Sequence, residues 1–152
     1  MKRFQFTLDK LKSYREQLLE REKNALAVMR LERVRFEDEK KAAEIELAES
    51  SENFKRKTAA GVSVSEFLTH KNHHYALGGR IVEKQKAIEE AERRIEKQLR
   101  KVVEATADVR TLEKLEEHQL EEYTAKAAKE DELFIAEFVN TSQFHKSGKA
   151  SE

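Results

Sequence analysis

Proline, cysteine and tryptophan are absent from this chain, and glycine occurs only four times in 152 residues. Without proline no position lacks the backbone N–H that a helix interior needs, so long uninterrupted helices are permitted. Without cysteine there can be no disulfide, no thiolate catalysis and no cysteine-bound zinc. No apolar run approaches the roughly 20 residues that span a bilayer. The basic start Lys2-Arg3 leads into Asp9, Lys10, Lys12, Arg15 and Glu16 rather than an apolar leader segment, which gives a cytoplasmic reading. An excess of either charge is also missing: thirty Lys+Arg balance thirty Asp+Glu, so no global field draws the protein to nucleic acid or to an anionic membrane.

What the chain does have is charge, at 39% of residues, against only 38% hydrophobic, a balance suited to long helices with narrow apolar stripes. Ile81, Ile88, Ile95, Val102 and Val109 recur every seventh residue. A seam of that period keeps facing inward only when one helix lies along another. The expected fold is all-α, with two long helices forming an antiparallel coiled-coil hairpin. Helix 1 is predicted over about residues 7–59, the turn over 60–64 and helix 2 over 65–140, making one domain of residues 1–140 and a flexible tail of 141–152. Helix 2 would then be about 110 Å long at about 1.5 Å per residue.

The turn has its own signals. Gly61 is placed where a helix ends in a left-handed residue, and Ser63-Val64-Ser65-Glu66 has the spacing of a capping box. Centred there, the pairing sets Leu11 opposite Leu112, Tyr14 opposite Val109, Leu18 opposite Ala105 and Val28 opposite Ile95. The stripe of helix 1 is read as Leu8, Leu11, Leu18, Ala25, Val28 and Leu31. A parallel dimer through the Ile81 to Val109 seam is the competing arrangement.

Little in the chain reads as chemistry. His70 and His74 lie four residues apart with Glu66 one turn earlier, but Lys71 stands where a zinc-protease helix needs glutamate, so a polar helix face is favoured over a metal site. Gly78-Gly79 lacks the Lys-Ser/Thr of a phosphate loop and reads as a soft point in helix 2. Arg93, Arg94, Lys97, Arg100 and Lys101 are interleaved with Glu89, Glu90, Glu92 and Glu96 and have no aromatic companions, which argues against nucleic acid. No catalytic residue, cofactor or metal is expected, and the chain reads as a contact protein. Its aromatic residues supply the candidate contacts. Phe4 and Phe6 open the chain, Phe67 and Tyr75 with Leu77 flank the histidines, and Tyr123, Phe134 and Phe138 lie beyond the reach of helix 1 in this register. An apolar stripe left uncovered marks a partner site.

Phe4-x-Phe6-x-Leu8-x-x-Leu11 followed by Tyr14-Arg15-Glu16 resembles the opening of the FliJ proteins of the bacterial flagellar type III export apparatus. Leu112-Glu113-Lys114-Leu115, then Gln119-x-Glu121-Glu122-Tyr123, resembles their C-terminal signature. One departure is visible: Leu133-Phe134, not an acidic pair, directly precede Ile135-Ala136, with Asp131-Glu132 two residues earlier. The resemblance implies a non-enzymatic rod like the coiled coil of the rotary ATP synthase γ subunit. It further implies a stalk or chaperone that meets the hexameric export ATPase, the membrane export gate protein and export chaperones, in the cytoplasm and peripheral to the inner membrane at the flagellar base. Phe4, Phe6, Leu115, Tyr123, Phe134 and Phe138, with Tyr75 and Leu77, are the expected partner-binding residues. The alternatives are an injectisome stalk and a structural coiled-coil dimer of unrelated purpose.

Overall fold

The computed structural model describes residues 3–147. They form two antiparallel helices, α1 over Asp9–Ala60 and α2 over Val64–Ser147, with no strand among the described residues. The link between them is built as its sequence requires. Gly61 takes a φ of 95°, a left-handed value that costs a side-chain-bearing residue roughly 1 to 2 kcal/mol, and its N–H bonds to the Thr58 carbonyl at 3.1 Å. The capping box closes reciprocally: the Glu66 N–H donates to Ser63 Oγ at 3.2 Å, and the Ser63 N–H donates to Glu66 Oε2 at 3.3 Å.

α2 does not end at Asn140 as expected but continues to Ser147. The Thr-Ser-Gln segment that reads as a stop stays helical, with the Thr141 and Ser142 hydroxyls donating back to the carbonyls of Glu137 and Val139 at 2.7 and 2.8 Å rather than capping a new turn. Of the expected tail, residues 148–152 lie outside the described residues.

The pairing divides into two units, one of Met1–Leu18 with Ala105–Glu152 and one of Leu19–Glu104. In the first, Phe6, Ala105, Val109 and Leu112 are buried. Around them Lys12 Nζ meets Glu116 Oε2 at 2.5 Å and Arg15 Nη1 meets Asp108 Oδ2 at 3.2 Å. In the second, Leu26 and Ala43 of α1 and Leu77, Ile88 and Ala91 of α2 form the buried layer. Its cross-helix polar contacts include Lys84 Nζ with Glu39 Oε2 at 2.6 Å and Lys40 Nζ with Gln85 Oε1 at 2.8 Å. The hydrogen bond from Lys84 holds the Glu39 carboxyl below its usual range. One polar side chain is sealed in: Gln98, 4% exposed, donates through Nε2 to the Glu22 carbonyl and to the Glu22 carboxylate.

The register agrees with the sequence, since Arg15 pairs with Asp108 and Glu39 with Lys84, positions that the predicted turn sets opposite each other. The face of α1 does not. Leu8, Leu11, Val28 and Leu31 of the predicted stripe are exposed, Val28 at 66% and Leu31 at 71%, as is Tyr14, the residue set opposite Val109. The inward row is instead Lys12, Arg15, Leu19, Glu22, Leu26, Met29, Arg33, Phe36, Lys40, Ala43, Leu47, Ser50 and Phe54, at alternating steps of three and four. Its charged members are partly buried and their head groups are engaged, Lys12 with Glu116, Arg15 with Asp108, Glu22 with Gln98 and Arg33 with Glu37. The isoleucine and valine seam of α2 faces this row, so the parallel dimer is not the arrangement adopted.

Candidate partner-binding surfaces

The first surface lies in the unit that carries both chain ends. Residues 3–8 precede α1 without being helical, the Asp9 N–H bonds to the Phe6 carbonyl at 3.3 Å, and Phe6 is 8% exposed. Phe4 places its ring 5.5 Å from that of Tyr123 at a tilt of 53°, and Thr7 Oγ1 meets Gln119 Oε1 at 3.3 Å. Tyr123 is therefore covered, contrary to expectation. A non-helical segment can advance about 3.3 Å per residue where a helix advances 1.5 Å, so the N-terminal residues reach past the point at which a continued helix would stop. Phe4 and Tyr123 thus pack together within the chain, Phe6 is buried, and Leu115 is 38% exposed.

Beyond Tyr123 the side chains of α2 turn outward without a facing helix. Leu133, Phe134, Ile135 and Phe138 are 61 to 70% exposed and Val139 is 46% exposed. Phe134 and Phe138, four residues apart, share a face. Phe144 adds a further exposed aromatic that the sequence reading missed by ending the helix too early.

The second surface lies near the turn, in the other unit. Tyr75 is 86% exposed, but Leu77 is only 2% exposed and belongs to the seam, unavailable to a partner while the helices are paired. Heptad geometry accounts for the difference: Leu77 falls on the inward row of α2, three residues from His74, while Tyr75 falls one residue off it. His70 and His74 are brought together, as rings 3.9 Å apart, and His74 Nε2 lies 3.4 Å from Ser51 Oγ. Among the described residues no group of three or more metal-ligating side chains converges. The basic run of α2 is partly neutralised on its own helix, through Arg94 with Glu90 at 2.6 Å and Arg100 with Glu96 at 2.9 Å. Gly78 and Gly79 lie inside α2, and a Cβ added to either would meet nothing within 4 Å. No described helix is long and apolar enough to cross a membrane.

No curated protein and no solved structure matches the chain. The family model described as Flagellar FliJ protein matches residues 4–149. Nearly the whole chain, from Phe4 at the packed N-terminal segment past the exposed end of α2, fits that one model, and the chain belongs to the FliJ family of flagellar export proteins.

Proposed function

We propose that this chain is a non-enzymatic stalk and chaperone of flagellar type III export, joining the hexameric export ATPase to the membrane export gate. The observation that carries this reading is the segment Leu133 to Val139, an apolar helical surface that no described residue covers. Burying a side chain such as Phe or Leu is favourable by roughly 1.5 to 3 kcal/mol, so a partner that covers several of them gains several kcal/mol of association. A narrow helical end with an aromatic rim suits insertion into the opening of a ring, and Phe134 and Phe138 are its anchors. The Phe4–Tyr123 ring contact and the buried Phe6 support that end, and Leu115 is a further proposed contact. Tyr75 is the contact proposed for the export gate, and export chaperones are the remaining partners. Membrane association on this reading is peripheral and indirect, through the export apparatus at the flagellar base.

The test uses the purified export ATPase. Truncation after Ala128 keeps Tyr123 under Phe4 yet removes the exposed segment, and is expected to abolish both binding and stimulation of ATP hydrolysis with the hairpin still helical. Full stimulation by the truncated chain would overturn the reading.

A further inference from the structure

The histidines near the turn have an arrangement that the export role does not use. His70 and His74 occupy successive inward positions of α2, and the His70 ring stacks on Phe54 of α1, with centroids 3.8 Å apart and planes 9° from parallel. Phe54 also meets Phe67 at 5.9 Å, so one aromatic cluster holds the two helices together here. His70 Nε2 is sealed from solvent and has no hydrogen-bond partner. We propose that His70, stacked on Phe54 and in tilted contact with His74, is a proton-sensitive latch, whose protonation parts α1 from α2 next to the turn and uncovers Phe54 and Leu77.

The sign follows from the surroundings. A neutral imidazole can leave Nε2 as an unused acceptor, whereas an imidazolium carries an N–H on both nitrogens, so protonation would seal a charged donor away from any acceptor. Two imidazolium rings 3.9 Å apart also repel each other. The other charged groups at this end are mixed. Lys57 of α1 and Lys71 and His73 of α2 oppose further positive charge. Of the carboxylates lining the adjoining groove, Glu46 faces His73 Nε2 at 3.5 Å and Glu66 is held by the Ser63 N–H. Glu49 of α1 lines the groove too and is the countercharge that works against the latch. The Phe54 face attracts a cation through its ring quadrupole and so also works against the latch. The balance holds His70 below the usual imidazole range, through burial first and then through His74, His73, Lys71 and Lys57. A folded-state value lowered in this way leaves the packing at full strength above about pH 6.5 and weakens it as the pH falls through that value.

Hydrogen exchange of the full chain, corrected for intrinsic rates, tests the latch at pH 7.5 and 5.5. Protection over residues 47–57 and 67–77 should fall by about tenfold or more on acidification while residues 20–45 keep theirs. In His70→Phe, which retains a stacking ring without a titratable nitrogen, the fall should vanish. Should that variant not fold, His74→Leu should shrink the fall by removing the like-charged neighbour. An equal fall in the wild type and in the variant measured, or a His70 ring whose NMR titration lies at or above 6.5, would overturn the proposal.

Discussion

Single residues in this protein separate what packing requires from what it tolerates. Gly78 and Gly79 read as a soft point of α2, and a Cβ on either would enter open space within an unbroken helix. Nothing steric holds glycine there, and its backbone freedom in the unfolded chain works against the fold. Gly78→Ala and Gly79→Ala should each raise stability by roughly 1 kcal/mol, read as a higher midpoint in urea unfolding followed by circular dichroism. Gln98 is the opposite case. Its amide is buried against the Glu22 carbonyl and carboxylate; Gln98→Leu would take this donor from the carboxylate, while the carbonyl keeps its helical partner. A loss of about 1 to 3 kcal/mol is expected in the same measurement, and pairing it with Glu22→Leu should recover part of that loss. If Gln98→Leu alone were stabilising, the amide would not be holding this layer together.

At the scale of elements, the turn and the register were legible because each rests on local chemistry. Left-handed glycine and a reciprocal Ser/Glu cap need only a few adjacent residues, and together they fix which residues of α2 lie opposite α1. Ser63→Ala should therefore destabilise the chain by about 1 kcal/mol, seen as a lower thermal midpoint, without changing its helix content at low temperature. The inward face of α1 was not legible by the same means. A hydrophobicity count selects Val28 and Leu31, whereas the seam takes Lys12, Arg15, Arg33 and Lys40, whose stems pack although their charges mark them as surface residues. The end of α2 was missed for a related reason, since hydroxyl residues that favour stops from outside a helix here bond to its carbonyls from within.

For the molecule as a whole, the sequence located the uncovered aromatic end of α2 but misplaced its inner boundary. Phe134 and Phe138 are exposed as expected, while Tyr123 is covered because Phe4 sits on a non-helical segment whose reach helical spacing underestimates. That boundary decides how the state of association can be tested. The seam of Ile81, Ile88, Ile95, Val102 and Val109 is filled by α1 of the same chain, so forming it is a first-order event. The thermal midpoint should then be independent of protein concentration, whereas a dimer sharing that seam would gain stability by mass action as concentration rises. Exposed Leu133 to Val139 could add self-association at high concentration, so the measurement belongs on the chain truncated after Ala128 as well as on the full chain. A midpoint unchanged over a hundredfold range of the truncated chain is the expected result. A steady rise in both chains would place the seam between molecules and refute the hairpin, while a rise confined to the full chain would locate the sticking surface at Phe134 and Phe138.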